Sequence, residues 1–183
     1  MAMIQTLTEL FAKTQHSVTH LEMRDTYGQS RGFKAWQEGV PLDEISRFDF
    51  WRPWVDLVAG HVARGVSFRR ARVVSEPHSD FIRYENQATP FTNLVAGEQV
   101  RWLPRQQARD IAVPGCDFWQ FDDHLVCWVF QSGDGLPAGY ELSEDPAEIK
   151  LCSAAFEAVW KRAIDHQACA RRHERISRPQ LLG

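Results

Sequence analysis

The stretch from residue 51 to residue 88 limits the possible folds more than any other part of this chain. Trp54, Leu57, Val58, His61 and Val62 recur at helical spacing behind Pro53, which suits a first turn, and Gly65 stands where a C-terminal cap belongs. Residues 66–74 (VSFRRARVV) then read as a strand. Ser75-Glu76-Pro77-His78 is a turn, and Ser79 is placed to cap a helix over 80–88. Strands that alternate with helices predict a partly parallel sheet with helices packed on it.

The remaining elements fit around that unit. Residues 3–13 form an amphipathic helix with Ile4, Leu7, Leu10 and Phe11 on one face. Residues 17–24 alternate, with Val18, His20 and Glu22 opposite Thr19, Leu21 and Met23, and read as a strand. A polar turn around Gly28 leads to a short helix from Phe33 to Glu38, ended by Gly39 and Pro41. Residues 90–98 are a loop or short helix, 99–103 a strand, and a short helix follows Pro104 to about Asp110. Residues 117–122 and 124–130 are two strands or one long bent strand, and the Ser132–Gly135 turn returns 138–142 as a hairpin partner. Asp145, Pro146 and Glu148 open the last helix as N-cap, first residue and capping-box acid. Its buried face is Ile149, Cys152, Phe156, Val159 and Ala163.

The fold class expected is therefore α/β, with α+β as the alternative: a mixed, partly parallel sheet with flanking helices. One domain spans 1–183, with 1–45 as an N-terminal elaboration and 166–183 as a frayed basic tail.

Composition narrows the function classes. Apolar residues make up 44% of the chain, enough for a real core, and the seven tryptophans are core anchors or groove walls. The net charge of −3 disfavours a dedicated nucleic-acid coat, so direct nucleic-acid binding is not the expectation. Four cysteines without a C-x-x-C pair read as reduced structural thiols. No secretory leader and no apolar run of about 20 residues is present, which predicts a cytoplasmic protein with no membrane contact.

Three constellations could carry chemistry. The corner at 75–79 and the adjoining helix bring together Ser75, Glu76, His78, Ser79, Arg83 and Glu85, approached by Arg69, Arg70 and Arg72 along the strand. The free N–H groups of a helix start favour a phosphate or carboxylate there, so a small anionic ligand is one expected partner; surface pairing of these arginines with Glu76, Asp80 and Glu85 is the competing reading. Asp117, Asp122 and Asp123 could bind a cation or do acid–base work, although Asp122-Asp123 equally reads as a turn. His166, Cys169 and His173 have one-face helical spacing but lack a fourth ligand for zinc. His16 and His20 lie about 13 Å apart if both are in a strand. No metal and no cofactor is expected. Cys116 beside Asp117 could be a thiolate, with a buried thiol as the competing reading.

The strings RVVSEPHSDFIRYE, NLVAGEQVRWLPR and DFWQFDD, with HLEMRDTYG and WRPWVDLV upstream and GYELSEDP downstream, resemble an actinobacterial family known as a domain of unknown function, number 6879. The resemblance covers about residues 16–165. Members are often encoded beside helix-turn-helix regulators or within specialised-metabolite clusters, which implies a DNA-binding regulator as a protein partner. A second resemblance is to half of a phospholipase-D-like domain. Against its signature H-x-K-x-x-x-x-D, Asp122 stands at the Asp, Asp117 at the Lys and Gly115 at the His, so this likeness implies a domain without that catalytic pair.

The leading expectation is a non-enzymatic regulatory or binding module. The alternatives are a small-molecule enzyme between 75–85 and 117–123, with His78, Glu85, Asp117 and Asp122 as acid–base candidates, and a nucleic-acid-binding module. The ligand-binding candidates are Arg72, Ser75, Glu76, Ser79, Arg83, Asn93, Arg101 and Trp119.

Overall fold

The computed structural model describes residues 2–47 and 51–169. Seven strands form one mixed sheet: β1 (Ser17–Glu22), β2 (Ser67–Val74), β3 (Gln99–Pro104), β4 (Asp117–Phe121), β5 (Leu125–Gln131), β6 (Pro137–Ser143) and β7 (Ile164–Asp165). The order across the sheet is β6-β5-β4-β1-β2-β3-β7. The expected parallel part is real: β2 runs parallel to both β1 and β3, while β4, β5, β6 and β7 pair antiparallel. β1 belongs to the segment read as an elaboration, yet it lies between β2 and β4 near the middle of the sheet.

The helices are α1 (Ala2–Lys13), α2 (Arg31–Gln37), α3 (Leu42–Ile45), α4 (Arg52–Ala63), α5 (Asp80–Thr89) and α6 (Pro146–Arg162). Their ends follow local chemistry. Ser79 accepts from Ile82 N, and Gly65 ends α4 at φ +96°. Ser30 caps α2 by accepting from Phe33 N, so that helix starts two residues earlier than its apolar spacing indicates. Asp145 caps α6 by accepting from Ala147 N, but Glu148 does not close the expected box: its carboxylate accepts from Trp128 Nε1 at 2.6 Å. The segment after α5 continues as a π-helical turn over Pro90–Leu94. Helix α3 and strand β7 carry no periodic signal of their own in sequence.

β4 and β5 are two strands of a hairpin, and the Asp122-Asp123 pair is its turn. Asp122 has φ +46°, and its carboxylate accepts from the backbone N–H groups of Gln15, His16 and Ser17 at 2.8–3.0 Å. These bonds hold its pKa below the ordinary value despite partial burial. Asp122→Ala should lower stability by about 2 kcal/mol, and Asp122→Asn by less, because Asn tolerates positive φ and keeps an acceptor. Urea-denaturation midpoints of the two variants check this; equal midpoints would refute it.

On one sheet face, Leu21, Ala71, Val73, Leu103, Phe118 and Val126 pack against Cys152, Phe156 and Val159 of α6. The other face carries two apolar clusters. One centres on Phe11, Val18, Phe68 and Phe121 under α1 and α4; the second centres on Phe81, Tyr84, Val100 and Trp102 under α5. His166 and Cys169 are buried against the second cluster, so 166–169 is packed rather than frayed. The basic tail from residue 170 onward, with His173, lies outside the described residues.

Candidate functional site

The strand registers set the site. Parallel pairing puts Val18 beside Phe68, His20 beside Arg70 and Glu22 beside Arg72. Antiparallel pairing puts Val18 beside Phe121 and His20 beside Trp119. Side chains alternate along a strand, so every second residue shares a face. The face under α1, α4 and α5 therefore changes from apolar to ionic along each strand, and a belt of charged side chains separates its two apolar clusters.

Glu22 is the hinge of the belt. It accepts from Arg70 Nη1 and from Arg72 Nε, both at 2.5 Å, and lies 3.2 Å from His20 Nε2. Arg70 Nε donates to Glu98 at 2.8 Å, and Asn93 donates to the other oxygen of Glu98. Arg72 donates to Thr89 Oγ1 at 2.8 Å and to Glu85 at 3.4 Å. Glu22, Arg70, Arg72 and Glu98 are each at most 8% exposed. Burial by itself pushes Glu22 up, but Arg70, Arg72 and His20 hold its carboxyl well below the ordinary range. Arg70 and Arg72 lose from burial and gain more from these carboxylates, so both stay charged.

Aromatic faces hold the cations. Arg70 sits 5.1 Å from the Trp119 ring centre and Arg72 4.8 Å from Trp102. His20 stacks on Trp119 with ring centres 3.8 Å apart and planes 8° from parallel, while its Nδ1 lies 2.8 Å from the Phe118 carbonyl oxygen. Trp102 Nε1 donates to His166 Nδ1 at 3.0 Å, and burial next to Arg72 pushes that imidazole down to about 4. His166 thus acts as a neutral acceptor in the core.

A cavity of about 630 Å³ opens against this belt. Its floor includes His20, Glu22, Tyr27, Arg70, Arg72, Asn93 and Asp117; its walls include Met3, Leu7, Trp54, Trp119, Val129, Phe130 and Tyr140. A smaller space of about 110 Å³ adjoins it, sharing Arg72, Thr92 and Asn93 and reaching Glu85. Burial is the main reason the Glu85 carboxyl rises to about 7, and its Oε2 has no hydrogen-bond partner among the described residues.

Asp117 starts β4 beside the C-terminal end of β1. It is 1% exposed and accepts from Met23 N at 2.8 Å, from Tyr27 Oη at 2.6 Å and from Gln131 Nε2 at 3.5 Å. Burial raises its pKa, more than Tyr27 and His20 lower it.

Of the residues singled out in sequence, Arg72, Asn93, Asp117 and Trp119 meet at the main cavity, and Glu85 reaches them through Arg72. The others lie elsewhere. At the 75–79 corner, Asp25 already occupies the place of an anion: it accepts from Ser75 N and Ser75 Oγ and pairs with Arg105. Ser79 is engaged as a cap and donates to the Asp25 carbonyl. Glu76 is exposed. Arg83 is exposed, pairs with Asp80 and donates to the His78 carbonyl, which places His78 at the surface end of α5. Arg101 donates to the Trp160 carbonyl and lies over the Trp160 ring on the α6 side. Asp122 stands at the opposite end of β4 from Asp117, tied to backbone. Burial and Asp117 raise the Cys116 thiol, so it is not a ready thiolate. His20, Glu22 and Tyr27 complete the site without having been assigned to it, and Arg70, expected at the 75–79 corner, joins them here instead. The signal for them is the same-face alternation Val18-His20-Glu22 against Phe68-Arg70-Arg72, with opposite charges on two strands.

Fold and site together define a mixed α/β domain with a buried ionic belt opening on an apolar-walled cavity. The chain belongs to the Domain of unknown function family DUF6879, whose model matches residues 5–171. No curated protein matches it. Among solved structures it is similar to TrmBL2, described as an archaeal chromatin protein with a novel mode of DNA binding, at 13% identity and a TM-score of 0.46 over 87% of this chain. It spans about half of the TrmBL2 chain, 48%. It is also similar to NucT from Helicobacter pylori, at 9% identity and a TM-score of 0.47, covering 90% of this chain and 91% of that one. The expectation that disfavoured direct nucleic-acid contact is corrected: one of these similar structures is described as DNA-binding. A net charge is an average over the chain and does not remove nucleic acid from the partners to consider. Among the described residues no helix is long and apolar enough to cross a membrane.

Proposed function

We propose that this chain is a binding module for a small molecule with a largely apolar body, held in the main cavity between the sheet and helices α1 and α4. The cavity itself carries the reading. Its 630 Å³ is walled mainly by apolar and aromatic side chains and floored by a few convergent polar groups, the usual make-up of small-molecule sites. The belt below is rigidly interlocked, so the polar groups are pre-positioned, which limits the ordering cost of binding. The DNA-binding regulator implied by the family resemblance fits this reading as the partner that senses the loaded state.

A titration with the neutral dye N-phenyl-1-naphthylamine, followed by its fluorescence, tests the proposal. Saturable one-to-one binding is expected. Met3 lines the cavity and is half-buried, so Met3→Trp should weaken binding by about tenfold or more, a loss of at least ~1.4 kcal/mol. Non-saturable binding, or binding indifferent to this substitution, would overturn it.

A further inference from the structure

We propose that the cavity selects an amine, a ligand whose protonated nitrogen pairs with the Asp117 carboxylate while its apolar body fills the space beneath Trp54 and Tyr140. This rests on the small-molecule reading above and names the ligand class.

The argument begins with the charges. Arg70 is paired with Glu22 and Glu98, and Arg72 with Glu22 and Glu85. The two guanidinium groups are thus already matched by Glu22 and Glu98, with Glu85 beside Arg72, before Asp117 is counted. Asp117 has no ion-pair partner among the described residues: its donors are a backbone N–H, a phenol and a carboxamide. Arg24 and Arg105, which line a neighbouring cavity with Asp117, donate instead to the carbonyls of Ser132, Gly133, Met23 and Val73 and to Asp25 and Ser75.

A buried carboxylate with only neutral donors is costly, and a cation brought by a ligand removes that cost. Burial raises the Asp117 pKa, in keeping with a missing counter-charge. Acceptor capacity is also left: Oδ1 takes one donor, and the second donor to Oδ2 is distant at 3.5 Å. The aromatic lining favours the same ligand, because Trp54 and Tyr140 are among the cavity walls and aromatic rings attract cations. An anion would meet surplus carboxylate, with both belt arginines already engaged.

Calorimetric titration with tryptamine, N-acetyltryptamine and indole-3-propionate at one pH tests this, because the three share an indole body and differ in head-group charge. Tryptamine should bind at least about tenfold more tightly than N-acetyltryptamine, and the acid most weakly. In Asp117→Asn the ratio between amine and amide should collapse to about one. If that variant does not fold, the order of the three ligands on the unaltered protein still decides. Equal or tighter binding of N-acetyltryptamine overturns the amine assignment and leaves the cavity reading standing. A preserved ratio in a folded Asp117→Asn overturns the role of this carboxylate. If none of the three binds and the neutral dye fails as well, the cavity reading falls, and the amine assignment with it.

Discussion

Replacing Glu22 by Gln is expected to destabilise the fold by about 3–5 kcal/mol, since it leaves two buried guanidinium groups short of their shared counter-charge. Glu22 is 8% exposed and, among the described residues, is the one carboxylate that both Arg70 and Arg72 contact, so neither arginine can turn to water without unpacking the sheet face. His20, 3.2 Å from the same carboxylate, loses its partner as well. Glu22→Gln preserves shape and removes charge, which separates the electrostatic loss from a cavity. Replacing Glu22, Arg70 and Arg72 together by Leu and Met should recover much of the stability, because a buried ionic set exceeds a hydrophobic one only narrowly, if at all. Chemical denaturation of the single and triple variants checks both statements. A single variant as stable as the parent would show that the belt is more hydrated than its burial indicates.

Phe11→Ala should cost about 3–5 kcal/mol, the usual range for truncating a fully buried aromatic ring. Phe11 is 0% exposed, and its ring meets Trp54 at 5.9 Å, Phe68 at 5.1 Å, Trp119 at 5.6 Å and Phe121 at 5.8 Å between centroids. Edge-on aromatic contacts of this kind add to the area they bury. The ring also ties α1, which supplies Met3 and Leu7 to the cavity wall, to Trp54 and Trp119. The loss of stability should therefore be accompanied by weaker dye binding at temperatures where the variant remains folded. Thermal unfolding together with the fluorescence titration measures the two effects. Stability lost with binding untouched would separate the wall from the ring that supports it.

Much of the architecture was legible from local chemistry. Pro53 and Gly65 bound α4, Ser79 starts α5, and Asp145 starts α6, because caps and breakers act within a few residues. The Asp122-Asp123 turn is local in the same sense. The pieces that escaped depend on distant partners. Strand β7 exists because Ile164 and Asp165 meet β3 at Trp102 and Arg101, and Glu148 leaves its box because Trp128 offers a better donor.

The site divides along the same line. Asp117, Trp119, Asn93 and Arg72 stood out as residue types in suggestive runs. That Glu22 joins Arg70 and Arg72 could not be read from spacing, since 48 and 50 residues separate the partners. Nor does spacing reveal that Asp25 fills the 75–79 corner, which removed an anion site that helix geometry alone recommends.

By itself the sequence determined where most of the helices and strands form and stop, and that a mixed, partly parallel sheet flanked by helices results; periodicity, caps and turns are short-range properties. Only the tertiary structure decided which charges cancel and which carboxylate is left over. Strand register and burial bring together groups from distant parts of the chain, and the strength of their interaction depends on the low-dielectric surroundings that only the folded state creates.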